Sequence, residues 1–185
     1  MHIQDGTGKG YQAEVNAEHR LQVGAVTYTA ERHSNEAEGN AYQVLFSQSP
    51  TAGDDCIFYM VNSSQTMNLI AEGIWLYVSA ACEVSVKLGA KGTRNSATAL
   101  TPVNCNAGSG NSADGTFEKG ADLDGGSATL TGGSIVSMYK FSAATDTKYF
   151  NFEQDIIVPQ NQTLTLWCSS ASPTVTGHLV FNYHS

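Results

Sequence analysis

The residues of this chain that could do chemistry sit in a few short stretches. Gly6-Thr7-Gly8-Lys9-Gly10 has the glycines and lysine of a phosphate-cradling loop. A P-loop spaces them as G-x-x-x-x-G-K-[ST] between a strand and a helix, so that backbone amides converge on phosphate. That spacing is absent here, and the segment reads as an extended arm. Asp122-Leu123-Asp124-Gly125-Gly126 resembles a fragment of a calcium loop. A full loop of that kind spreads oxygen ligands over about a dozen residues and closes on a bidentate Glu. Neither a third acidic ligand nor that Glu follows, and Asp54-Asp55 and Asp114 stand apart in the sequence. Polar turns are expected at all three places and no metal site is assigned; one calcium ion holding the loop is the alternative. His178 and His184 share one face of an expected strand. At roughly 20 Å apart they are too distant to ligate one ion.

Nucleophilic and hydrolytic signatures are missing too. There is no G-x-S-x-G elbow, no H-E-x-x-H and no cysteine in a protease signature. Cys56, Cys82, Cys105 and Cys168 are too widely spaced for a C-x-x-C zinc or redox motif. Cys56 and Cys168 close or open apolar runs and read as reduced, buried thiols. The chain is therefore read as a non-enzyme with no catalytic residue and no cofactor. Carboxylates meeting from distant strands, as in a glycosidase, are the enzymatic alternative. Trp75 and Trp167 read as core strand residues, which leaves no sugar-stacking platform. Asn62-Ser63-Ser64 and Asn161-Gln162-Thr163 match the glycosylation triplet at a rate that chance explains in so Asn/Ser/Thr-rich a chain.

Charge narrows the partners. Nine Lys+Arg face 17 Asp+Glu, a formal net charge of -8 over 185 residues. The basic residues form no run, so no counterion release is on offer for nucleic acid, and no basic patch for an anionic membrane. The N-terminus has no apolar signal core. No apolar stretch approaches the ~20 residues that span a bilayer.

What must hold these residues is an all-β scaffold. Charged residues are only 14% of the chain, against about 25% in typical soluble domains. Gly, Ser, Thr and Asn take their place, which suits strands and turns rather than helices. Period-2 alternation marks strands over 23–29, 41–47, 84–88, 134–141, 164–168 and 179–183. Cys56 to Val61 is a continuous apolar run, the mark of a strand buried on both faces. Met67 to Ala71, Ile74 to Val78, Phe150 to Phe152 and Ile156 to Val158 add shorter segments. Residues 31–40 read as a polar loop. Residues 89–133 hold ten of the 18 glycines and read as a long loop with one strand near Ala99–Asn104. The count is eight to ten antiparallel strands without a helix. That fits a jelly-roll-like β-sandwich over residues 23–185, preceded by an extended arm over 1–22.

The segments Ile3 to Val15 and Arg20-Leu21-Gln22-Val23 resemble the start of small structural proteins of tailed bacteriophages, a glycine-rich arm running into an "RL-x-V" segment. Thr98 to Asn106, and the ending from Ile156 to Tyr183, are similar in style to jelly-roll capsid decoration or cement proteins. The likeness covers about a third of the chain and carries no catalytic residue. It implies a virion structural protein on the outer capsid surface, assembled in the host bacterial cytoplasm. It also implies a homo-oligomer, a trimer in such proteins, with the major capsid protein as partner. The arm would make the contact, through Asp5, Gly6, Gly8, Lys9, Gly10, Tyr11, Arg20 and Leu21. The alternative is a carbohydrate- or receptor-binding module of a tail or fibre, with its site in the 89–133 loop.

Overall fold

The computed structural model describes residues 30–143, 145–171 and 173–184. The arm over 1–22 and the strand expected over 23–29 lie outside these residues. The described chain opens on a helical turn, α1 (Ala30–His33), which widens into a π-helical turn over Ser34–Glu38. This replaces the loop expected over 31–40. The Ser34 hydroxyl donates to the carbonyl of Tyr183 at 3.0 Å and ties the turn to the sheet beneath. Among the described residues, no helix is long and apolar enough to cross a membrane.

Eleven strands follow in the described residues. They are β1 (Ala41–Gln48), β2 (Asp55–Asn62), β3 (Asn68–Val78), β4 (Cys82–Lys91), β5 (Thr98–Ala99), β6 (Val103–Asn104), β7 (Gly115–Lys119), β8 (Thr131–Phe141), β9 (Asp146–Val158), β10 (Thr163–Cys168) and β11 (Val175–His184). They form two antiparallel sheets, ordered β6-β1-β11-β3-β9 and β5-β7-β2-β10-β4-β8. With the short β5, β6 and β7 set aside, the pairing is nested: β4 with β8, β3 with β9, β2 with β10, β1 with β11. Alternate pairs fall in opposite sheets, so one long antiparallel ribbon has been rolled into a sandwich. That winding is a jelly roll, the fold the strand pattern led us to expect. The count passes ten because the insertion over 92–130 supplies β5, β6 and β7. The sequence reads β3 and β9 as two segments each because their mutual register jumps between Ala71 and Gly73.

Inward side chains of both sheets form the main core, and alternation decides which ones. In β3, Ile74, Leu76 and Val78 are fully buried while Trp75 and Tyr77 between them are exposed. Phe181 of β11 is ringed by Phe117 at 5.2 Å, Tyr42 at 5.6 Å and Tyr183 at 5.9 Å between centroids. Offset and edge-on rings at such distances add to what burial alone contributes.

A second, smaller core explains the continuous apolar runs. Cys56, Tyr59 and Trp167 face out of the six-stranded sheet, and the insertion covers them with Leu123 and Leu130, beside Ala90. Burying each of these leucines contributes about 1.5–3 kcal/mol. Polar contacts fix the cover in place. Leu123 N–H donates to the Cys56 carbonyl at 3.0 Å. The partly buried Arg94 pairs with Glu118 at 2.6 Å and lies 4.3 Å over the Tyr59 ring. The segment expected as a long loop with one strand near Ala99–Asn104 is therefore a folded cover, with β5 and β6 in place of that strand, and only one large apolar residue, Phe117, advertises its β7 strand. All four cysteines are unlinked, with Cys105 alone exposed. Burial pushes the Cys82 thiol up to about 12 and raises that of Cys56 as well.

Candidate functional site

The contact residues assigned from sequence, Asp5, Gly6, Gly8, Lys9, Gly10, Tyr11, Arg20 and Leu21, all lie outside the described residues. The described surface offers three features instead: an acidic cluster, an uncharged sheet face and an apolar edge.

The acidic cluster joins residues far apart in sequence. Asp55 opens β2, and the insertion brings Asp122 and Asp124 to it, with one carboxylate oxygen of each within 4.8 Å of the others. Asp55 Oδ2 accepts from the Thr51 and Ala52 amides at 2.8 and 2.6 Å and from the Thr51 hydroxyl at 3.0 Å. Asp124 Oδ1 accepts from the Cys56 amide at 2.7 Å. A Cβ on Gly125 would meet the Asp122 carboxylate, so a larger residue there would push that carboxylate out of its present place in the cluster. Asp55 and the Asp122 segment had been read as isolated turns. The β2 strand is what unites them, and no local spacing could have signalled it. Three carboxylates so placed are the oxygen ligands that a hard divalent cation takes.

Burial, and then the charges of Asp55 and Asp124, raise the Asp122 carboxyl above its ordinary value of 3.8. The ionised form is thus disfavoured in the folded chain relative to the unfolded one. The penalty is absent below the unfolded value, grows as pH rises toward the raised folded value, and is complete at neutral pH. Asp122→Asn should therefore stabilise the protein at pH 7 in chelator. Near-surface charge effects of at most ~1 kcal/mol correspond to a melting point up to about 3 °C higher. The gain should vanish at pH 3, where wild type is protonated. Thermal melts at both pH values measure it, and equal melting points at pH 7 would refute it.

The middle of the outer face of the five-stranded sheet is open to solvent, with Leu45, Trp75 and Tyr149 all more than two-fifths exposed. Its solvent-side residues line up in three rows across β1, β11, β3 and β9. The middle row is Leu45, His178, Trp75 and Tyr149. Ser47, Thr176, Tyr77 and Thr147 flank it on one side, and Gln43, Val180, Gly73 and Asn151 on the other. Trp75 is thus exposed, at 43%, and the expectation of a core tryptophan is corrected. Trp167 is buried because the insertion covers its sheet, while Trp75 shares its strand with three aliphatic residues that already claim the inner face. The Trp75 ring lies 4.8 Å from that of Tyr149 and 6.2 Å from that of His178. Gly73 makes room for this arrangement. A Cβ there would sit 2.7 Å from the Tyr149 hydroxyl, so the phenol lies across the glycine. Burial lowers the His178 imidazole below its ordinary value, which keeps the row neutral at pH 7.

The apolar edge is β8. It ends the six-stranded sheet, with β4 on one side and no strand on the other among the described residues. Ile135 is 52%, Val136 45% and Met138 55% exposed. Beside it, Val136 and Ile157 line a shallow pocket with Leu88 and Pro159. No protein-family model matches the chain, and no curated protein or solved structure matches it.

Proposed function

We propose that this chain is a virion structural protein, a decoration or cement protein that binds the major capsid protein of a tailed bacteriophage and reinforces its head. The observation that carries the reading is the β8 edge. A strand with no strand paired on its outer side among the described residues, and with three half-exposed apolar side chains, is an aggregation hazard in a solitary protein. It is useful where a neighbour completes it. The jelly roll provides a rigid body for such assembly, and the phage-like opening of the sequence supplies the candidate partner. In this reading the protomers join into a homo-oligomer, a trimer, along β8, and symmetry closes the edge. The protein is made in the host bacterial cytoplasm and ends on the outer surface of the capsid.

Incubation with undecorated capsids tests the reading. Saturable co-sedimentation and a raised capsid melting temperature are expected. A protein that stays in the supernatant at every ratio, with capsid stability unchanged, sinks it.

A further inference from the structure

The three uncharged rows on the five-stranded sheet have a composition unlike the rest of the chain. The chain carries a net charge of -8, yet none of the solvent-side residues in these rows is Asp, Glu, Lys or Arg. What they offer is aromatic surface and neutral hydrogen-bonding groups. Tyr149 at 46%, Trp75 at 43% and Tyr77 at 38% exposure present the rings. Hydroxyls and amides surround them on both sides.

We propose that this face binds a neutral glycan, a hexopyranose chain a few rings long, across the row Leu45–His178–Trp75–Tyr149. The C–H face of a pyranose carries slight positive charge and packs on the electron-rich face of an aromatic ring. Its hydroxyls need donors and acceptors at the rim, which Thr147, Thr176 and Asn151 supply. Other occupants fit worse. Nucleic acid needs cations, and these three rows hold none. Three interstrand spacings of about 4.8 Å, and four residue rises of about 3.4 Å, make the field about 14 Å on a side. With side-chain overhang that is on the order of 400 Å², half of the ~800 Å² that each partner buries in a stable protein interface. The area suits a short oligosaccharide. The proposal does not rest on the capsid reading, and it places a glycan site away from the insertion.

Native affinity electrophoresis in gels containing soluble neutral polysaccharides (a β-1,4-glucan, a β-1,3-glucan, a galactomannan, a dextran) tests it, with an anionic polysaccharide as control. Retardation by at least one neutral polymer is expected, with little by the anionic one. Trp75→Ala and Tyr149→Ala should each weaken binding at least ten-fold without shifting the thermal midpoint by more than a few degrees. Thr176→Glu, which places a charge in the face without removing a ring, should weaken it as well and serves if an aromatic variant fails to fold. Ligand should also change the tryptophan fluorescence of wild type and not of Trp75→Ala. Absence of retardation by every neutral polymer overturns the proposal, as does binding that survives both Trp75→Ala and Thr176→Glu. A concentration-dependent dimer abolished by Trp75→Ala would overturn it too, since a second copy would then occupy the face.

Discussion

Phe181→Ala is expected to destabilise the protein by about 3–5 kcal/mol, the range for removing a fully buried ring. Phe181 has no solvent exposure and touches rings from three other places in the sheets, Tyr42, Phe117 and Tyr183. The cavity left behind would be lined by large, stiff aromatic groups that collapse poorly, which favours the upper part of the range. Domains of ordinary stability hold about 5–15 kcal/mol in total, so the variant should sit near the edge of folding at 37 °C. Urea unfolding monitored by circular dichroism gives the number. The slope should stay unchanged and the midpoint fall. A loss under about 1 kcal/mol would show that the ring cluster does not hold the two sheets together. Leu45→Ala, on the exposed face of β1, is the control and should change little.

If β8 joins protomers and capsid as proposed, the double substitution Ile135→Lys/Met138→Lys should leave only monomers and abolish capsid co-sedimentation. Both side chains are more than half exposed, so the folded protomer loses little by the change. Surface substitutions away from special features usually fall within about 0.5 kcal/mol. The assembled state loses much more, since two charges per edge would have to be stripped of water or face each other across the joint. Lysine on an edge strand is also how natural sheets discourage further pairing. Light scattering coupled to size exclusion reads the mass directly. A variant that keeps an oligomeric wild-type mass places the assembly surface elsewhere, and a wild type that is monomeric at every concentration refutes the homo-oligomer.

Much of the fold was legible in the residues, and the reasons are local. Val84, Val86 and Leu88 alternate with polar neighbours because β4 has one wet side for part of its length. The run from Cys56 to Val61 shows no alternation because both sides of β2 are covered. What the run could not disclose was the cover itself. Leu123 and Leu130 are isolated in a glycine-rich stretch, and their importance comes from where the insertion lies. Trp75 was misread for the opposite reason. Its strand carried a usable signal, since Ile74, Leu76 and Val78 already fill one side and parity sends Trp75 to the other. The uncharged face then required the register of four strands, β1, β11, β3 and β9. No single segment of sequence contains it. The acidic cluster is non-local in the same way, with Asp55 brought to Asp122 only by the pairing of β2.

The nested pairing has a consequence for the chain while it is being made. Synthesis delivers β1 first among the described strands, yet its long partner, β11, begins only at Val175. β11 is also an interior strand, lying between β1 and β3. Until it emerges from the ribosome, the five-stranded sheet is split down its middle and cannot close over the core. The innermost pair, β4 with β8, can form early, and each wider pair must wait for the next. Such a protein rewards slow, complete translation and is exposed to premature self-association. Interrupted synthesis would release a chain with two open sheet edges facing water.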